Sequence, residues 1–383
     1  MKITLKYLLA ILLFFNCSKT EIKDKDTNVC SDGQYTCIPD PNFEQALIDL
    51  GFDTDGLNGK VLTNNISEIK ELFLERKSIQ DLSGIEDFVS ITKLYLFDNQ
   101  LTSLDVSNNT SLEYLDLYYN QLTSLDVSNN TSLKYLLCVN NQLTSLDVSN
   151  CSSLFDLNIN KNQLTSLDVS KNTSLKYLSC FNNQLTSLDV SNNTALEILW
   201  FSENQLSSLD VSNNTALVEL ICNVNQLTSL DVTNNTSLKY LRCVNNQLKS
   251  LDVSNNTTLE ILWCDENQIT SLDVSNNTAL LGLGCSGNQL TGLDIGKNTS
   301  LTGLGCENNH LTTLDVSNNT SLINLYCSGN QLTSLNVSNN TVLEYFNSQD
   351  NPLTCIVVNQ SQLDNIPYYW YKDPEDTYAL VCN

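Results

Sequence analysis

Between residues 91 and 351 the apolar positions recur thirteen times, almost without insertion, in one frame, L-x-x-L-x-[LC]-x-x-N-x-L-x-x-L-D-V-x-x-N-x-x. Two successive copies read SLEYLDLYYNQLTSLDVSNNT and SLKYLLCVNNQLTSLDVSNNT. Each copy holds two related nine-residue phrases, such as Leu122-x-x-Leu125-x-Val127-x-x-Asn130 and Leu133-x-x-Leu136-x-Cys138-x-x-Asn141, whose starts alternate 10 and 11 residues apart. Apolar residues two apart at the end of a phrase predict a short strand followed by a turn. A coil is therefore expected to have two strand-like sides. A constant period of 21 residues predicts a mainly β solenoid, in which each unit buries its apolar edge against its neighbours.

The ends of the array read differently. PDPNFEQALIDLG predicts one helix, with Asn42 as its cap, Gln45 completing a capping box, Phe43, Ala46, Leu47 and Leu50 on one face, and Gly51 ending it. ELFLERKSIQDLSGIEDF reads as a degenerate coil set 22 residues before the next, with Leu72, Leu74 and Ile79 inward. NPLTCIVV opens a C-terminal cap over residues 353–383, where Cys355 and Cys382 are candidates for a disulfide that would seal the last coil. Cys30 and Cys37 are the other disulfide candidates, since all four lie outside the repeat columns.

These motifs together resemble the bacterial leucine-rich-repeat surface lipoproteins of the nested 21-residue type, with an internalin-like N-terminal cap. The resemblance covers residues 37–383. It implies a leucine-rich-repeat stack of short parallel strands between a helical N-terminal cap (37–90) and a disulfide C-terminal cap, with the solenoid over 91–352. It also implies that the strand face is the ligand surface.

Stacking turns each repeat position into a column. Asn99 to Asn351 form one unbroken column, and Asn109 to Asn340 a second, interrupted by Cys151. Both are expected to satisfy buried turn groups. Cys138, Cys180, Cys222, Cys243, Cys264, Cys285, Cys306 and Cys327 share a column with Leu96, Leu117, Ile159 and Phe201, so they are expected to be buried free thiols acting as small apolar residues. Eleven aspartates, Asp105 to Asp315, make an outward column between Leu and Val. Charges about 5 Å apart repel by roughly 0.8 kcal/mol even in water, so hydrogen bonds or weakly held divalent cations must offset them. No metal-binding motif or cofactor site is present in the sequence.

Charge and the N-terminus set the compartment. Lys plus Arg number 19 against 43 Asp plus Glu, and a formal charge of −24 argues against nucleic acid or an anionic membrane as partner. Lys2 and Lys6, a nine-residue apolar run from Tyr7 to Phe15, and Cys17 resemble a bacterial lipoprotein signal over residues 1–17, although Phe15 and Asn16 stand where such signals prefer small residues. Cys17 would carry the lipid and be the sole membrane contact. Residues 18–36 read as a polar tether, and the chain is expected at the outer membrane or cell surface, otherwise secreted.

The stretch NQLTSLDVSNNT barely changes between copies, whereas the outward residues of the other half do. Tyr95, Trp200, Arg242, Trp263 and Tyr326 occupy the middle outward column. Tyr114, Tyr135, Tyr177 and Tyr240 precede it, and Tyr118 and Phe181 follow it. Rings give large contact area at low entropic cost, so this face is expected to bind a protein or polysaccharide. The single histidine, His310, replaces a turn glutamine, and Ser and Asp recur in identical columns rather than in one asymmetric set, so no enzyme is expected. The alternative is a structural rod whose Thr, Ser, Asn and Asp ladders organise water, ions or ice.

Overall fold

The first phrase of each coil forms a three-residue strand, and these strands stack into one parallel sheet of fifteen. The computed structural model describes Cys30 and residues 33–382. Thirteen strands come from the repeats, while Glu71–Phe73 of the degenerate coil and Trp370–Tyr371 of the C-terminal cap complete the two ends. Register is in phase throughout: Tyr114, Leu115 and Asp116 lie opposite Tyr135, Leu136 and Leu137. The 22-residue step is absorbed with Leu72 opposite Leu94. In-phase pairing turns sequence positions into straight columns, Leu115 facing in and its two neighbours out.

The inward Leu, Val and Cys columns form one continuous buried core, with only Leu104 and Leu209 partly covered. Each such leucine contributes roughly 1.5–3 kcal/mol of burial. All eight cysteines of the column, and Cys151, are buried and free.

The two asparagine columns do different work. Asn120 is buried, donating through Nδ2 to the Leu96 and Leu117 carbonyls and accepting the Leu101 amide on Oδ1. It thus ties two neighbouring coils together. Asn193, in the second column, donates to the Val169 and Asn172 carbonyls at 2.9 Å each, while its buried Oδ1 accepts nothing from the described residues. That column needs only a donor. This explains the lone exception, since the Cys151 thiol donates toward the same pair of carbonyls, those of Val127 and Asn130.

The expectation of two strand-like sides is corrected. The second phrase pairs as sheet only at the isolated bridges Asp105 to Asp126 and Asp168 to Asp189, and in a three-stranded parallel sheet of Leu335–Asn336, Cys355–Val357 and Thr377–Ala379. Its amides go elsewhere: Leu122 donates to Asn141 Oδ1, and Ser128 to Asp126 Oδ1. Side chains have taken the donors that a second ladder would use.

The N-terminal cap also differs in detail. Helix Pro41–Asp49 is capped by Asp40, not Asn42, with Oδ1 accepting the Asn42 and Phe43 amides. Pro41 at the first helical position lacks a donor, and the cap falls two residues outward, on Asp40. Gln45 bonds Asp49 instead of closing a capping box. Phe43, Ala46 and Leu47 are buried as expected, but Leu50 is 40% exposed at the C-cap. Gly51 follows at φ 80°, the left-handed stop that glycine allows. The N-terminal cap includes residues before 37: strand Tyr35–Cys37 pairs with Lys60–Leu62, and Cys30 is disulfide-bonded to Cys37.

At the other end Cys355 is bonded to Cys382. Helix Gln360–Asp364 carries the capping box, closed by Asn359 and Gln362. Buried Trp370 packs edge-on to Phe346 and donates its indole N–H to the Leu343 carbonyl, closing the core.

Candidate binding face

The strand face displays three outward columns, and its chemistry changes along the stack. At the N-terminal end rings touch in series: Phe73 to Tyr95 at 4.7 Å between centroids, Tyr95 to Tyr114 at 4.9 Å, Tyr114 to Tyr135 at 5.7 Å, Tyr135 to Phe155 at 5.8 Å and Phe155 to Tyr177 at 5.3 Å. Four expected residues are thereby brought into one aromatic ladder. Phe73 and Phe155 join it unforeseen. Phe73 sits in the degenerate coil, and Phe155 occupies the position just before its strand, outside the three outward columns.

Packing within the face consumes part of this aromatic area. Tyr118 is half-buried, its phenol oxygen accepts Asn158 Nδ2 at 2.6 Å, and burial pushes its ionisation up to about 12. Tyr114 is raised to about 12, again mainly by burial. Burial likewise raises Asp116 and Asp156 above the usual carboxylate range. Phe181 lies under Lys161 at 5.9 Å, and its amide donates to Asn160.

Farther along, Trp200 is half-buried between the strands carrying Ser179 and Ile221, and its indole N–H has no partner among the described residues. The Tyr240 hydroxyl donates to Glu260, and the Arg242 guanidinium lies 4.1 Å from the centroid of Trp263. Trp263, Tyr326 and Tyr135 are the exposed members of the expected set, at 36–39%. Ser179 of the middle column is buried, its hydroxyl donating to Asn160, so that column is not uniformly outward.

Sequence reasoning missed the gap between Trp263 and Tyr326. The strands Gly282–Gly284 and Gly303–Gly305 carry no outward side chains, leaving a trough of about 340 Å³. The signal was the doubled GLGC in consecutive coils, visible as two missing side chains in each of two columns.

The aspartate column lies on the opposite phrase and is exposed. Each carboxylate from Asp105 to Asp315 accepts the amide two residues on, as Asp126 does from Ser128 at 2.9 Å. For Asp126 the Ser128 hydroxyl and amide hold the carboxyl below its ordinary range. At Asp147 and Asp189 the same donors outweigh the opposing repulsion of their neighbours in the column. Among the described residues no group of three or more His, Cys, Asp or Glu is placed to hold a metal ion. His310 is exposed in its turn. Cys17 lies outside the described residues.

Inward leucines, one parallel sheet and a buried asparagine ladder define a leucine-rich-repeat solenoid. The family model described as Leucine Rich repeats (2 copies) matches residues 89–130, and one described as LVIVD repeat matches residues 305–326, one coil's length within the same stack. The chain is 33% identical, with a TM-score of 0.72, to the functional domain of InlJ from Listeria monocytogenes, which includes a cysteine ladder; the match covers 85% of this chain and 77% of that one. The chain belongs to the internalin-like bacterial leucine-rich-repeat proteins. The fold is shared with the internalin InlF of Listeria monocytogenes, at 21% identity and a TM-score of 0.66 over 91% of this chain and 97% of that one. The Arabidopsis receptor kinase HAESA, solved in complex with the peptide hormone IDA and the co-receptor SERK1, is 25% identical with a TM-score of 0.68, over 78% of this chain and 56% of that one. No curated protein matches the chain. The internalin-like fold is typically non-enzymatic.

Proposed function

We propose that this protein is an exported, surface-held binding module that recognises a protein partner through the strand face. The observation that carries the reading is the contrast between two halves of one coil. The phrase bearing the aspartate column is nearly invariant, while the sheet bearing Tyr135, Trp263 and Tyr326 changes its outward residues from strand to strand. Copies that share a core constraint diverge outward only where the outward residues have different work to do. Exposed rings beside charged groups are the usual anchors of protein interfaces. The peptide hormone complex of HAESA supports a polypeptide ligand over a polysaccharide.

Export is supported by the two disulfides, which persist in oxidising compartments. Residues 1–17 serve as the signal, Cys17 carries a lipid, and the polar stretch before Cys30 is the tether. Cys17→Ser is expected to release the protein from the membrane fraction and abolish labelled fatty-acid incorporation.

The test of binding is an extracellular-protein and glycan array probed with residues 18–383 and with the variant Trp200→Ala, Tyr240→Ala, Trp263→Ala. The reading expects a protein hit that the variant loses without a comparable loss of melting temperature. Capture of glycans only, or a protein hit indifferent to the variant, overturns it.

A further inference from the structure

We propose that the glycine-floored trough between Trp263 and Tyr326 is a specific pocket for a basic side chain, an arginine or lysine, of the protein partner. The inference rests on the binding reading above. It differs in naming where one anchor residue goes and what chemistry it carries.

The geometry is set by strand register. Trp263 lies opposite Gly284, Gly284 opposite Gly305, and Gly305 opposite Tyr326. Three strand spacings separate the two rings, about 14 Å between backbones. Ile261, Gly282, Gly303 and Asn324 form the parallel row on one side. Two adjacent outward positions in each of two rows therefore lack side chains within a face that is otherwise covered. One side of Trp263 is taken by Arg242, on the strand before it. Its other neighbour is the bare glycine strand.

The remaining side of the trough is acidic. Asp265 and Glu307, both half-buried, are joined through Ser286, whose amide donates to Asp265 and whose hydroxyl donates to Glu307. A side chain at position 284 would place its Cβ 2.6 Å from Asp265 Oδ2, so the glycine is what lets this carboxylate reach across the neighbouring strand. Neither acid pairs with a Lys or Arg among the described residues; the six ion pairs of the protein's described part involve others. Residues 251–350 contain ten Asp or Glu and one basic residue, Lys297, which lies three positions past the aspartate column and off this face. Asp265 and Glu307 are thus without an ion-pair partner, the nearby Arg242 guanidinium lying against the Trp263 ring and Lys239 pairing with Glu260.

Two rings and two carboxylates around an unfilled space are matched by a cation. The rings supply cation–π attraction and the carboxylates charge-assisted hydrogen bonds. A neutral sugar would stack on the same rings, but it would leave both half-buried carboxylates without a counter-charge. The volume is at the low end of ligand sites, suited to one side chain rather than a folded element.

The test uses residues 18–383 and tryptophan emission, titrated with blocked Gly-Arg-Gly, with Gly-citrulline-Gly as the neutral isostere and with cellotriose as the neutral glycan. The trough-filling variant is Gly303→Leu, because a Cβ there meets nothing nearer than Asn324 Nδ2 at 4.0 Å and the same column carries Ile198, Tyr240 and Ile261 on other strands. The arginine peptide is expected to saturate with a midpoint on the order of 1 mM, at least about tenfold tighter than the citrulline peptide, in keeping with the added charge. Gly303→Leu and the pair Asp265→Asn, Glu307→Gln are each expected to weaken it by about tenfold or more, with unchanged circular dichroism. Equal midpoints for arginine and citrulline, indifference to Gly303→Leu, saturation by cellotriose alone, or no saturation by any of the three overturns the proposal. If the array partner is lost in the aromatic variant yet bound fully by Gly303→Leu, the pocket fails and the binding face stands. If no protein partner binds while the arginine peptide does, it is the wider reading that fails.

Discussion

Asp40 Oδ2 accepts the backbone amide of Gln80 at 2.6 Å, across 40 residues of sequence, while its Oδ1 caps the N-terminal helix. Oδ2 also takes the Asp81 amide at 2.9 Å. One buried carboxylate thus welds the capping helix to the degenerate coil. Burial pushes this carboxyl up, but the amide hydrogen bonds outweigh it and hold the group below its ordinary value. Asp40→Ala removes the helix cap and leaves the Gln80 and Asp81 amides without an acceptor, so it is expected to cost about 2–3 kcal/mol of cap stability. Hydrogen exchange of the amides over residues 41–49 reads this directly; protection unchanged in the variant would refute it.

The donor-only asparagine column gives a graded prediction. Asn193→Ala removes one of the two hydrogen bonds at each of the Val169 and Asn172 carbonyls, which keep the Asn172 and Leu175 amides, and is expected to lose about 1–3 kcal/mol. Asn193→Cys repeats what Cys151 already does, and should lose clearly less than the alanine variant. Chemical denaturation of the three proteins side by side measures the order. Equal losses would mean that the thiol donates nothing useful and that Cys151 is tolerated for its size alone.

Much of this architecture was legible because periodicity reports which residues share an environment. The cysteine column's exchange with Leu96 and Phe201 announced burial, and both cap disulfides followed from cysteines lying outside the frame. What periodicity cannot report is which hydrogen-bond partner a group chooses. Asn42 and Asp40 both suit a helix cap, and only Pro41 between them decides. The second phrase carries the same apolar spacing as the first, yet side chains of Asn141 and Asp126 capture its amides and prevent a second full sheet. The trough was missed for a related reason. A search for side chains that could act passes over Gly282, Gly284, Gly303 and Gly305, whose contribution is the space they leave.

The cysteine ladder should be chemically silent. Burial raises the thiols of Cys180, Cys222 and Cys306 to about 12, and those of Cys243, Cys264, Cys285 and Cys327 well above their ordinary value. The nucleophile is the thiolate, so at pH 8 these groups are both protonated and inaccessible. Residues 18–383 are expected to give no fast reaction with a thiol reagent when folded. After unfolding in guanidinium, the nine free cysteines of the described part should all react. Fast labelling of the native protein would show that coils open locally, or that the column is less buried than its position implies.

Acids on the two faces of one coil are expected to respond to pH in opposite directions. Asp126 is held below its ordinary value by the Ser128 hydroxyl and amide. The stability it contributes is therefore present above the unfolded carboxylate value of about 3.9, and it is lost as pH falls through the lower folded value. Asp116, on the strand face, is raised by burial. Its charged form disfavours folding, so stability recovers as pH falls through its raised folded value toward the unfolded one. Asp126→Asn should accordingly lower the melting temperature at pH 7, with the deficit shrinking in acid. Asp116→Asn should raise it at pH 7, with the gain shrinking as pH approaches about 4. Because Ser128 and its equivalents already supply donors to the column, millimolar calcium is expected to leave the melting temperature unchanged. A calcium-dependent rise that Asp126→Asn and Asp147→Asn together abolish would show instead that cations bridge neighbouring coils.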